Sequence, residues 1–159
     1  MQIRDRDYYR ASQERMRQAI RLSTQEGAYA LSIYCSGLAV ECLLRAFRWR
    51  EDRTFSGRHD LDELLKASGV LRVNDDYMRR KGKNDDEILA ASRDFRAAMN
   101  EIVVLWHNSM RFASEDRLHA HLRALGRVQG IRGDPLRQNA LAMLNAAQFI
   151  VNKGVVLWG

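Results

Sequence analysis

The side chains in this chain best suited to chemistry near neutral pH are its four histidines, His59, His107, His119 and His121, set among 22 arginines. An imidazole can take or give a proton there. A guanidinium can stabilise charge that builds on a phosphate under attack. Spacing narrows the useful pairs. His107 lies four residues before Arg111, which places the two one turn apart if a single helix carries them; seven residues separate Arg111 from His119. His119 and His121 point to different faces of a helix, so at most one of them can face Arg111. The same geometry makes His119 and His121, with Glu115 and Asp116, a poor metal site, and no metal is expected. The chain has no phosphate-cradling glycine loop, dinucleotide turn, Ser or Cys nucleophile motif or zinc-ligand spacing, so no cofactor is expected either.

These residues must be positioned by helices. The stretch Gly27–Trp49 organises the rest, and it carries no charge from Gly27 through Val40. Two apolar stripes run along it at helical spacing, Leu31, Tyr34, Cys35, Leu38 and Cys42 on one side and Ile33, Gly37, Val40, Leu44 and Phe47 on the other. A helix apolar on more than one face is buried between neighbours, and Gly37, Ser32, Ser36 and Ala39 let those neighbours come close. Glu41 interrupts the run and needs a basic partner if it is buried. Cys35 and Cys42, about 10 Å apart along such a helix, are too distant for a disulfide.

Around this helix the punctuation predicts others. A first helix is expected over Asp7–Leu22, with Tyr9, Met16, Ala19 and Ile20 inward and Arg10, Glu14, Arg17 and Arg21 on another face. That second face reads as a phosphate-facing ridge or as a solvated ladder of charges. Arg53–His59 is expected to be a loop, after which Asp60 caps a short helix bearing Leu61, Leu64 and Leu65, stopped at Ser68-Gly69. Residues 70–83 read as a long connection ending in Arg79, Arg80, Lys81 and Lys83. Asn84, followed by three acidic residues, opens a long helix whose core stripe is Ile88, Ser92, Phe95, Met99, Ile102 and Trp106. A short helix is expected over Ser114–Leu125, and Asp134-Pro135 starts the last one.

One proline, the periodicity and the lack of alternating strands make the class all-α, in one domain spanning 1–159. The net charge of +6 permits an acidic partner such as nucleic acid. The uncharged run is too short and too dotted with Ser and Gly to span a bilayer, and the polar N-terminus is unlike a signal peptide. A cytoplasmic location without membrane attachment is the expectation.

Three motifs fall in order: Ala39-Val40-Glu41 with Leu44-Arg45-Ala46, His59-Asp60-Leu61 with Leu64-Leu65, and Trp106 with Met110-Arg111-Phe112. This set resembles the HEPN family of small helical bundles, with residues 114–133 as a helical insertion. The resemblance implies a four- or five-helix bundle that dimerises through long helices. It also implies one of three roles in a prokaryotic stress, toxin–antitoxin or phage-defence system. These are a module that binds RNA or nucleotide, a metal-independent endoribonuclease toxin, and an interaction-only partner of an antitoxin or a nucleotidyltransferase.

The family's nuclease motif is an arginine followed, after four to six residues, by a histidine near the last helix. Arg53 and His59 match literally, but they lie in the wrong loop, and so many arginines make such a match expected by chance. Near the right place stand Arg111 with His119, spaced too widely, and His107 with Arg111, in reversed order. The motif is therefore degenerate, and a binding role is the first expectation. Its ligand residues would be Glu41, His107, Asn108 and Arg111 around one cleft, with Arg10, Arg17 and Arg21 as a secondary basic face. If the chain is a nuclease, its catalytic residues would be Arg111 with His107 or His119. A pairing of Arg111 with Glu41 is the structural alternative.

Overall fold

The apolar run becomes the axis of a helical bundle. The computed structural model describes residues 2–54 and 59–159, and among them it contains helices and no strand. In chain order the helices are α1 (Asp5–Ser23), α2 (Tyr29–Glu51), α3 (Leu61–Ser68), α4 (Val70–Arg80) and α5 (Asp85–Leu105). A 3-10 turn (Asn108–Phe112), α6 (Glu115–Ala124) and α7 (Pro135–Trp158) complete the set. Residues 55–58 of the expected loop lie outside the described residues.

Burial of α2 is graded between its two stripes. Ile33, Gly37, Val40, Leu44 and Phe47 are all buried. On the other stripe Cys35 is buried, Tyr34, Leu38 and Cys42 are half-buried, and Leu31 is exposed. Helices α1 and α7 are the main neighbours of α2. A side chain at Gly154 would place its Cβ 2.4 Å from Leu43 Cδ2, so glycine there lets α7 lie on Leu43 without displacing that side chain. Trp158 locks the far end of this layer. Its ring stacks on Tyr9 with centroids 4.7 Å apart, meets Phe47 edge-on at 5.3 Å, and lies beneath the Arg50 guanidinium.

The expected helix starts are present. Asp60 Oδ1 accepts from the Glu63 amide at 3.0 Å, Asn84 and Glu87 exchange side-chain-to-backbone bonds, and Asp134 Oδ1 accepts from Leu136 N. The core stripe of α5 is buried at Ile88, Phe95, Met99 and Ile102, and continues in Trp106. Ser92 departs from it, half-buried and donating to Asp75 at 2.9 Å. On α1, Met16 and Ala19 are buried while Ile20 is exposed.

The connection expected over residues 70–83 is instead mostly helix, α4. Gly69 at φ 67° ends α3 and lets the chain restart at once. Buried Val70 and Asn74, with Leu71 and Val73 against the core, supply an inward stripe whose middle is polar. That polar position hid the periodicity. The basic cluster closes this helix, and it is occupied locally: Arg79 pairs with Asp76, Lys83 with Glu87, and the Lys81 ammonium lies 5.6 Å from the Tyr77 ring centroid.

Both α2 and α7 are long and apolar enough, by length and composition, to cross a membrane. The helix α2 extends beyond the uncharged run, and 72% of its most apolar window is buried within the bundle. In a packed core that apolarity is already satisfied by neighbouring helices.

Candidate functional site

The centre of interest begins with the carboxylate that the sequence left without a settled partner. Glu41 is 2% exposed. It accepts from Arg45 Nε at 2.7 Å, one turn along α2, and its two oxygens lie 2.8 and 2.9 Å from His59 Nδ1. The expected pairing with Arg111 is thus replaced. Arg45 reaches Glu41 at the favoured i, i+4 spacing, and the start of α3 brings His59 over it from the next element. Arg111 is exposed, with its guanidinium carbon 4.6 Å from the Phe112 ring centroid. A charge buried this deeply needs such pairing to persist.

The carboxylate fixes the imidazole above it. With Nδ1–H donated to Glu41, the neutral form of the His59 ring leaves Nε2 as an acceptor. The His59 side chain is 51% exposed, so that edge is open to a ligand. The neighbouring thiol feels the same surroundings. Burial, reinforced by the charge of Glu41, pushes Cys42 up to about 11.

Across from His59 stands the end of α5. Trp106 leaves the helix in an extended conformation, its amide still bonded to Ile102 O at 2.8 Å. Its ring lies on Gly37, where a Cβ would sit 2.1 Å from Trp106 Cδ1, and its Nε1 donates to the Tyr34 carbonyl at 3.1 Å. This seat turns the chain, so His107 and Arg111 do not share a continuous helix as their spacing suggested. His107 instead caps the 3-10 turn, its Nδ1 accepting from Ser109 N at 3.1 Å and lying 2.6 Å from Ser109 Oγ. With Nδ1 accepting, the neutral ring carries its proton on Nε2. His59 and His107 therefore present unlike edges, an acceptor and a donor.

Together His59, Asp60, Leu61, Val103, Trp106, His107 and Asn108 line a cleft of about 350 Å³. Asn108 Oδ1 is buried there without a hydrogen-bond partner, an arrangement that costs stability unless something donates to it.

Of the residues singled out in sequence, the structure brings His107 and Asn108 to one cleft and ties Glu41 to it through His59. It leaves Arg111 outside that lining. His119 is half-buried on α6 and lines neither this cleft nor the adjoining groove. Arg10, Arg17 and Arg21 are exposed on α1 with Glu14, and α1 contributes nothing to the cleft. Among the described residues no group of three or more His, Cys, Asp or Glu side chains is placed to hold a metal ion. Glu115, paired on paper with the α6 histidines, instead accepts from Ala30 N at 2.8 Å.

The residue that sequence reasoning undervalued is His59, which looked like part of a packing motif or a chance match. The signal was the pair of motifs itself: a glutamate on an otherwise apolar helix and a histidine just before a helix cap. Comparison of this chain with protein families, with curated proteins and with solved structures finds no match.

Proposed function

We propose that this chain is a HEPN-like module of a cytoplasmic stress, toxin–antitoxin or defence system that binds RNA or a nucleotide in the His59–His107–Asn108 cleft. The observation that carries this reading is the carboxylate-held His59 facing a cleft that also holds His107 and an unsatisfied Asn108 acceptor. With neutral rings such a cleft offers a lone pair and an N–H, which suit sugar hydroxyls, base edges and phosphate oxygens, beside an Asn108 acceptor that is buried and unsatisfied. The net charge of +6 favours an anionic ligand.

A second reading, metal-independent endoribonuclease, is favoured by the unlike edges of the two rings. One imidazole with a lone pair and another with a proton, on one cleft, are what proton transfer to and from a phosphodiester requires. Dimerisation is supported by α7, which carries no charged residue from Gln138 to Asn152 and exposes Leu141, Val155 and Val156.

The test is retention and cleavage of labelled RNA, with and without EDTA, by the wild type and by His59→Ala, His107→Ala and Arg111→Ala. Salt-sensitive retention, weakened at least several-fold by either histidine change and little by Arg111→Ala, is the expected result. Cleavage that survives EDTA and vanishes in His59→Ala would advance the nuclease. A wild type that neither retains nor cleaves RNA and binds no mononucleotide would sink the proposal in favour of an interaction-only subunit.

A further inference from the structure

The cleft does not end at His107. Val103, Trp106 and His107 are walls of both this cleft and a second groove of about 720 Å³ that runs along the 3-10 turn and α6. One part of its lining is apolar, with Val104, Met110 and Leu118; another is polar, with Ser109, Arg117 and His121. The Nε2 of His121 is buried and has no hydrogen-bond partner. Phe112 also lines the groove and is 79% exposed, the most exposed large apolar side chain described. The Arg111 guanidinium lies over its ring. An aromatic ring held out in water forgoes most of what its burial would contribute. Here it stands beside cationic and hydrogen-bonding groups in a groove that shares three walls with the first cleft.

The geometry points to this groove as a second subsite for single-stranded RNA, with an unpaired base stacked on the open face of Phe112 and the backbone phosphate met by exposed Arg117. The inference rests on the RNA-binding reading of the adjoining cleft and extends it from one nucleotide to a strand. Stacking on an exposed aromatic requires a base free of its duplex partner, and it tolerates any sequence because every base has a π-face. A protein partner is the weaker fit. Interface centres are depleted in charge, whereas this groove places Arg117 and two imidazoles around its apolar part. The Arg111 guanidinium covers one face of the ring, and the base takes the face it leaves open.

The experiment measures the affinities of a short single-stranded RNA, its blunt duplex and AMP for wild type, Phe112→Ala, Phe112→Trp, Arg117→Ala and His59→Ala. Sedimentation of each variant is recorded alongside. Phe112 is so exposed that its replacement leaves the fold intact. Phe112→Ala is expected to weaken single-stranded RNA about tenfold or more while leaving AMP affinity unchanged, and Phe112→Trp to retain binding. Arg117→Ala should reduce the salt dependence by about one phosphate contact. The duplex should bind more weakly than the single strand to the wild type only. Unchanged RNA affinity in Phe112→Ala, with loss in His59→Ala, overturns the second subsite and spares the first. A wild type that binds neither RNA nor AMP overturns both. A shift from dimer to monomer in Phe112→Ala, with RNA affinity unmoved, would assign the groove to a second copy of this chain instead.

Discussion

At the scale of single residues, the molecule is governed by what surrounds Glu41. A lone carboxylate in a core is costly; two donors from different elements make it a hub that orients His59 and shapes its neighbours. Cys42, next in the chain, reports that environment. Its thiol is held neutral by burial and by the adjacent negative charge, with its ordinary value near 9 raised to about 11. Because the folded value lies above the unfolded one, this group leaves stability intact below about pH 9 and withdraws it as pH rises toward 11. The loss is on the order of 2–3 kcal/mol at the upper end. Urea unfolding between pH 8.5 and 11 should therefore show a steeper alkaline decline in the wild type than in Cys42→Ala. Parallel declines in the two proteins would contradict it. The same neutrality should make both cysteines slow toward alkylating reagents at pH 8, since burial also raises Cys35.

At the scale of elements, the informative case is a helix that does not cap itself. The N-cap of α2 is Ala28, which has no side-chain acceptor to offer, and its first turn carries no acidic residue. The acceptor arrives from 85 residues away, where Glu115 Oε1 meets Ala30 N. The first turn of α6 is thereby bolted to the start of α2, and the groove wall stands on that junction. Loss of the acceptor in Glu115→Ala should cost about 1 kcal/mol in chemical denaturation, while Glu115→Gln, which keeps an oxygen in place, should lose less. Equal stability of all three proteins would show that water replaces the cap without penalty. A second clamp holds the linker before α7. Arg127 forks onto Glu101 of α5 at 2.5 and 2.6 Å, and the Arg127 carbonyl accepts from buried Asn139 Nδ2 at 2.9 Å. The carboxylate's hydrogen bond raises the Arg127 guanidinium above its ordinary range.

At the scale of the whole molecule, the bundle leaves two kinds of surface. One is the groove system around His107. The other is the outer face of α7, apolar or amide-bearing where a solvated helix would carry charge. If that face is the proposed dimer interface, sedimentation at micromolar protein should give twice the 18.4 kDa chain mass. Val155→Glu combined with Leu141→Glu should then return it to monomer without loss of helix content. A wild type that sediments as a monomer throughout the micromolar range removes the dimer from the account.

Much of this architecture was legible in the chain because it depends on near neighbours. Helix starts at Asp60, Asn84 and Asp134 are bonds across two or three residues, and the stripes of α2 and α5 are set by the helical period alone. Gly37 announced a close approach, although nothing near it in sequence named Trp106 as the ring that fills the space. What sequence could not decide were the pairings between elements. Arg111 was the cation the sequence suggested for Glu41, and the turn after Trp106 leaves it exposed beside Phe112 while Arg45 and His59 take its place. The helix α4 was hidden because its inward stripe contains Asn74, a polar residue whose burial only the tertiary packing reveals. Local rules thus determined where helices form and which faces seek burial. The selection of His59 over Arg111 as the partner of Glu41, and of His107 and Asn108 as its companions across the cleft, was decided by how those helices pack, since charge pairing falls off over a few ångströms and depends on distances that no linear spacing contains.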